Sequence, residues 1–271
     1  MNTPFLIASA AAVAVGLTQL AGSDAARGTA LPDIPDMIRL EPAPFEHRID
    51  GDWRRDGLSV DAPIHTVAIA APIEIMAVPV STGQWLACVA DEVCTLHDGQ
   101  SDLPDLPVVG VSWNDAHIYA AWLSQRTGER WRLPTDVEWA HAAAELFRDD
   151  AIGVQSDPHN PAVLWLAEYA AETARQRDLD REVRPVGSLN VNSLGVRDIG
   201  GAVWEWTSTC LRRGEIDGEG RIVREADSCG IYIAEGLHRA AITDFIRDPQ
   251  AGGCSVGVPP ANLGFRLVRE L

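Results

Sequence analysis

Pro107-Val-Val-Gly-Val-Ser-Trp-Asn-Asp-Ala-His-Ile-Tyr-Ala-Ala-Trp-Leu123 and, a few residues on, Arg132-Leu-Pro-Thr-Asp-Val-Glu-Trp-Ala-His-Ala-Ala143 are the stretches from which the rest of the chain can be placed. In the first, Ser112 and Asp115 have the capping-box spacing, in which a hydroxyl and a carboxylate satisfy the orphan N–H groups of a first turn. This predicts a helix running to about Thr127. Ala116, Tyr119, Ala120 and Leu123 recur at helical spacing, Trp122 widens the stripe, and Gly128 is a ready stop. One face of that helix must be buried. In the second stretch, Thr135 and Glu138 repeat the box just after Pro134, so a second helix starts there and carries Trp139 and Ala143.

The same residues carry a family resemblance. Gly110-Val-Ser-Trp-Asn-Asp-Ala116, Tyr119-Ala-Ala-Trp-Leu123 and Arg132-Leu-Pro-Thr-Asp-Val-Glu-Trp139 resemble the signature of the formylglycine-generating-enzyme (sulfatase-modifying-factor) family. Arg184 to Thr207 is similar to that family's second block, Asn262-Leu-Gly-Phe-Arg-Leu-Val-Arg269 to its last strand and Pro63-Ile-His-Thr-Val67 to its opening strand. The likeness covers roughly residues 37 to 271. It implies an α+β fold, irregular and loop-rich, related to C-type lectin domains, with a groove for an extended peptide. Trp165-Leu-Ala-Glu-Tyr169, Trp206-Thr-Ser-Thr-Cys210, Glu235-Gly-Leu-His-Arg239, Thr243-Asp-Phe-Ile-Arg-Asp248 and Ala251-Gly-Gly-Cys254 resemble, more narrowly, the NirV-type accessory proteins of copper nitrite reductase systems.

With 271 residues, 46% of them hydrophobic, the chain is long enough for a sizeable core in one large domain or two small ones, and one is expected. A formal charge of -17 argues against nucleic acid and against an anionic membrane surface. It permits a basic or metal-bearing partner, and equally it can be an ordinary solubilising surface that implies no partner.

Phe5 to Leu20 is apolar and Ala-rich and runs into small residues ending at Ala26, as a signal peptide does, although no Lys or Arg precedes it. Residues 1–26 are therefore a signal peptide or, if uncleaved, an anchor, and the protein is expected to be periplasmic or otherwise exported. Contact with a membrane is expected only through an uncleaved leader. Residues 27–62, with Pro32, Pro35, Pro42 and Pro44 and a charged run from Asp50 to Asp61, suggest a tether and lead-in with little regular structure. The main domain is expected over 63–271. His65 to Ile69 and Ile73 to Val80 alternate as half-buried strands, Ser81 opens a helix, and Ala162 to Ala174 can form another on a surface excursion. Past Trp206 the glycines Gly214, Gly218, Gly220, Gly252, Gly253 and Gly257 point to loops, and binding loops are expected there.

The chemistry depends on cysteines. Members of the resembling family oxidise a cysteine of a client sulfatase through a pair of enzyme cysteines that hold copper(I), for which soft thiolates are the proper ligands. The segment preceding that pair corresponds here to Glu235-Gly236-Leu237-His238, and the next residues, Arg239 to Arg247, include no cysteine. By the resemblance, Cys88 and Cys94 form one disulfide and Cys210 and Cys229 a second, leaving Cys254; five reduced thiols in a cytosolic protein are the alternative. An iron-dependent branch of the superfamily uses three histidines, most of them on an added helical domain that is not expected in this sequence. None of His47, His65, His97, His117, His141, His159 and His238 has His-x-x-x-His spacing. No copper or iron site is identified.

Calcium is the cofactor that the resemblance still admits. Relatives build a site around Gly-Asn-Val-Trp-Glu-Trp, and here Gly201-Ala202-Val203-Trp204-Glu205-Trp206 retains Glu205 but loses the asparagine oxygen. Either Glu205 contributes to a weakened calcium site or it is a buried carboxylate hydrogen-bonded to backbone. Arg132, Trp204, Trp206, His238 and Arg239 match the family framework and are expected to frame the binding groove by stacking and charge-assisted hydrogen bonds. The function expected is that of an exported accessory or maturation protein that binds a client protein or peptide, a copper nitrite reductase in the narrower resemblance, without catalysis. A formylglycine-type oxidase with an altered metal site is the alternative.

Overall fold

The computed structural model describes residues 33–271 apart from 155–156, 158, 161, 178–180, 202 and 252–258. The candidate leader, Ala202 and Cys254 lie outside the described residues. In chain order the elements are β1 (Met37–Leu40), β2 (Phe45–Arg48), β3 (Asp52–Arg55), β4 (Leu58–Val60), β5 (Ile64–Val67), β6 (Ile73–Met76), α1 (Thr82–Ala90) and α2 (Trp113–Thr127). They continue with β7 (Trp131–Arg132), α3 (Asp136–Ala143), α4 (Ala162–Arg177), β8 (Trp204–Ile216), β9 (Ile222–Glu235), β10 (Ala240–Thr243), β11 (Leu263–Gly264) and β12 (Val268–Glu270). This is the mixed α+β architecture expected.

Capping starts the first three helices where the sequence places them. Ser112 Oγ accepts from the Asp115 N–H and the Asp115 carboxylate accepts from the Ser112 N–H; Thr135 and Glu138 do the same for α3, as do Ser81 and Gln84 for α1. Gly128 ends α2 in the left-handed conformation, φ 74°. The α2 stripe of Ala116, Tyr119, Ala120, Trp122 and Leu123 enters a core with Trp85, Trp131, Trp204, Trp206 and Phe265. Trp139, Ala142 and Ala143 of α3 enter a second cluster with Ile75, Ile199 and Val268.

The sheets join distant parts of the chain. One is antiparallel with strand order β1-β6-β12-β7, another runs β10-β9-β8-β3-β4 with β11 parallel to β8, and β2 pairs with β5. Little regular structure was the expectation for 27–62, and here the fold corrects it. β1 pairs with β6, placing Ile38 opposite Ile75, and β3 runs parallel to β8. Pro42 and Pro44 fall between β1 and β2, where no ladder needs their missing N–H groups. The described residues, from Asp33 onward, thus belong to one folded unit.

The expected loops after Trp206 are corrected at Gly214, while Gly218 and Gly220 do lie in the turn between β8 and β9, and Gly252, Gly253 and Gly257 lie outside the described residues. β8 and β9 form a long antiparallel hairpin, and its glycine-marked sequence has a packing cause: a Cβ at Gly214 would come within 2.2 Å of the Trp53 ring. Its outer half reads as loop because β9 is exposed from Val223 to Asp227, while β8 buries only Leu211 and Ile216 there. Disulfides join Cys210 to Cys229 across the hairpin and Cys88 to Cys94 at the end of α1, with Cα separations of 4.8 and 5.3 Å.

At the junction of both cores, Glu205 and Arg266 are each 0% exposed. Arg266 Nε donates to Glu205 Oε2 at 2.5 Å and Nη2 to Oε1 at 2.8 Å, while Trp139 Nε1 donates to Oε2 at 2.9 Å. The remaining guanidinium protons go to the carbonyls of Met76, Ala77 and Arg197, so all five donors are used. Truncating one partner of such a pair strands the other charge. Arg266→Met is therefore expected to cost about 3–5 kcal/mol, and adding Glu205→Gln to recover part of that loss. Urea denaturation of the two variants checks this, and a double variant no more stable than the single one would refute it.

Candidate functional site

A cavity of about 420 Å³ opens between the β2–β4 segment, the turn at 150–152, α4 and the residues after β9, with Arg48, Trp53, Asp61, Asp150, His238 and Arg239 among its lining. Its shape follows from local hydrogen bonds. Asp61 accepts the N–H groups of Ile152 and Gly153 at 2.9 and 2.8 Å, which fixes the turn, and Arg48 Nε reaches Asp149 at 2.7 Å. Gly236 lets the chain leave β9 against the core, because a Cβ there would lie 2.8 Å from the Trp204 indole.

Beneath the cavity lies a buried ionic network centred on Arg239. Its Nε donates to Glu235 at 2.8 Å. Nη1 points to the Ile49 carbonyl and Asp150 at 3.4 and 3.5 Å, and Nη2 to the Arg48 carbonyl and Asp136 at 3.1 and 3.4 Å. The far oxygen of Asp136 meets His47 Nε2 at 2.6 Å, and the Glu235 carboxyl lies alongside within electrostatic reach. Asp50 completes the cluster and accepts the Arg212 N–H at 3.0 Å.

One guanidinium among so many carboxylates divides their proton affinities. Burial raises the Asp136 carboxyl, but the Arg239 charge and the polar contacts with Glu235 and His47 outweigh it and hold Asp136 well below the usual range. Burial, with the Asp136 charge alongside, pushes Glu235 well above its usual value despite Arg239. Glu235 therefore holds a proton more tightly than an ordinary carboxyl does. Asp50 is pushed up to about 6 by burial and by Asp136, against the pull of Arg212 and Arg239.

Of the five residues expected to frame a groove, the structure brings only His238 and Arg239 to the cavity. Trp204 and Trp206 are both 0% exposed. Their indoles donate to the carbonyls of His238 and Val111 at 3.0 and 2.8 Å, so neither ring has a face to offer a peptide. Arg132 is committed to Glu138 through two 2.7 Å bonds and to Glu270 at 2.9 Å, clamping β7 to the start of α3 and to β12. Arg239 is bound by Glu235, Asp150 and the carbonyls of Arg48 and Ile49, with the Asp136 charge 3.4 Å away, and is a structural hub. Calcium at Glu205 does not fit either, since both carboxylate oxygens are taken by Arg266 and Trp139. His47, Asp50, Asp136 and Glu235 were not singled out by sequence reasoning, and no local signal marks them: His47 and Asp136 meet across 89 positions.

The family model described as the sulfatase-modifying factor enzyme 1-like domain matches residues 23–271. The chain belongs to that family. It is 32% identical over 165 residues to the Bos taurus protein named inactive C-alpha-formylglycine-generating enzyme 2, covering 60% of this chain and 50% of that one. It is 31% identical over 165 residues to the formylglycine-generating enzyme of Streptomyces coelicolor, covering 58% and 49%, and 33% identical over 118 residues to the hercynine oxygenase of Mycolicibacterium thermoresistibile, covering 40% and 22%. The match thus spans half the length of these relatives or less. The solved structure of PvdO from Pseudomonas aeruginosa, 24% identical, shares the fold with a TM-score of 0.52 over 88% of this chain and 95% of that one.

The copper-binding thiol pair implied by the sulfatase-modifying-factor resemblance does not fit this chain. Four of the five cysteines are in disulfides, and the stretch where the pair is expected forms β10, with Ala240 and Ile242 buried in the core.

Asp50 offers a direct measure of the electrostatic load under the cavity. Its folded-state affinity for a proton, raised above the value of about 3.9 of an unfolded chain, stabilises the fold fully below about pH 4, and that contribution is lost as pH rises through about 6. Asp50→Asn keeps an acceptor for the Arg212 N–H. It is expected to stabilise by about 2 kcal/mol at pH 8 and to change little at pH 4. Thermal unfolding of both proteins at the two pH values checks this, and an equal shift at both would rule out charge as the cause.

Proposed function

We propose that this chain is a non-catalytic client-binding module, an exported accessory or maturation protein on a sulfatase-modifying-factor fold, whose client is a copper nitrite reductase. The cysteine inventory carries the non-catalytic part. Five cysteines less four in disulfides leave Cys254 alone, and one thiol per chain does not make the two-thiolate copper(I) site that oxidation of a client cysteine requires. A relative bearing the name of an inactive formylglycine-generating enzyme supports the view that the fold persists without the chemistry. Two disulfides and the apolar run from Phe5 to Leu20 support export to an oxidising compartment. The choice of client rests on the sequence blocks shared with NirV-type proteins.

The assay that decides between binding and oxidation uses copper-loaded protein, a sulfatase-motif peptide and oxygen. No aldehyde is expected in the peptide, whereas immobilised protein is expected to bind purified copper nitrite reductase saturably and to bind it unchanged as Cys254→Ser. Aldehyde that forms with the native protein and disappears in Cys254→Ser would replace the binding module with a rebuilt oxidase.

A further inference from the structure

Helix α4 turns one apolar face inward and a second, larger one outward. Leu164, Ala167 and Ala171 recur at helical spacing and are half-buried, while the opposite face displays Trp165, Leu166 and Tyr169 at 61%, 55% and 62% exposure, with Val163 beside them. The Trp165 and Tyr169 rings already stack on one another, 5.9 Å between centroids and 21° between planes. An outward Trp-Leu-Tyr stripe on a helix is the composition of an interface centre, where large rigid rings bury area at low entropic cost.

Charge beside the stripe narrows what can cover it. Glu168 is exposed next to the aromatic face, has no ion-pair partner among the described residues, and lines the cavity together with Asp52, Asp61 and Asp150. The cavity's inner guanidiniums are spoken for, Arg48 by Asp149 and a carbonyl and Arg239 by its network, so Arg54 is the outward cation facing four carboxylates. The whole chain carries -17. An anionic lipid or a second copy of this acidic chain would meet like charge, whereas a segment with an apolar stripe and flanking Lys or Arg meets both features at once.

We propose that the outward face of α4 and the acidic mouth of the adjoining cavity together dock a cationic amphipathic helix of a partner protein. This rests on the client-binding reading and names the surface and the chemistry of the client segment. Trp165, Leu166 and Tyr169 receive the apolar stripe, and Glu168 with Asp61 and Asp150 receives a basic side chain at its edge.

The probe is a labelled 16-residue helical peptide with leucines at heptad spacing flanked by lysines, compared with a scrambled peptide of identical charge and with a version carrying glutamate for lysine. Anisotropy titrations at physiological salt are expected to show binding that is at least about tenfold weaker for the scrambled and glutamate peptides. Trp165→Ala/Tyr169→Ala is expected to lose about tenfold and Glu168→Lys about threefold, with thermal stability unchanged because these side chains are exposed. Equal affinity for patterned and scrambled peptides, or for native protein and the double aromatic variant, would overturn the proposal. So would a native dimer in sedimentation that dissociates in the double variant, or phosphatidylcholine-vesicle flotation that the double variant loses. A nitrite reductase that still binds the double aromatic variant at full strength would reject this surface while leaving the client-binding reading intact, and aldehyde formation would reject that reading on its own.

Discussion

Glu205 and Arg266 lie where the two hydrophobic cores meet, and the fold is arranged to make their burial tolerable. A carboxylate and a guanidinium removed from water lose several kcal/mol of hydration each, which is recovered only when geometry is good and no donor or acceptor is left over. Here two parallel bonds join the ions, Trp139 supplies a third donor from α3, and three carbonyls, two at the end of β6 and one at Arg197, take the remaining guanidinium protons. Four stretches far apart in sequence, at 76–77, 139, 197–205 and 266, must converge for that satisfaction to be complete. The pair thus enforces a unique arrangement of β8, α3, the end of β6 and the last strand. Gly264 has the same effect by size, since any Cβ there would approach the Val108 carbonyl to 2.6 Å.

The network around Arg239 is a second buried ionic cluster of a different kind. At Glu205 charges are matched one to one, whereas beneath the cavity Asp50, Asp136, Glu235 and Asp150 surround a single guanidinium and His47. Excess negative charge in a low-dielectric setting is relieved by keeping protons, which is why Glu235 and Asp50 bind them so tightly. Arg239 holds β9, α3 and the Arg48–Ile49 backbone together. Its position at a cavity wall therefore reflects structural work, and the capacity for new interactions lies outward, among the carboxylates and the α4 aromatics.

Much of the architecture was legible. Capping boxes at Ser112 and Thr135 are local signals, because a hydroxyl and a carboxylate three residues apart act on N–H groups within reach of the same turn, and both helices start where they say. Apolar periodicity likewise located the buried face of α2 and found α4. The tether misled because prolines and charges dominate its composition, while the strands between them are only three or four residues long and owe their existence to partners such as β6 and β8. Glycines misled past Trp206 for a related reason. Gly214 reads as a breaker in sequence, but its missing side chain is filled by Trp53 from the other end of the chain.

What the sequence by itself determined was therefore what depends on neighbours in the chain or on residue inventory: helix starts, the α2 face, membership of a mixed α+β family, and a supply of cysteines too small for two bridges and a thiol pair together. Tertiary structure alone decided the fate of the charged and aromatic residues. Trp204 and Trp206 were candidates for stacking on a peptide until the core closed over them, and Glu205 was a candidate for calcium until Arg266 arrived from 61 residues away. Burial and ion pairing are set by which distant segments pack together, and no local spacing encodes the distance between Asp136 and His47 or the exposure of Trp165.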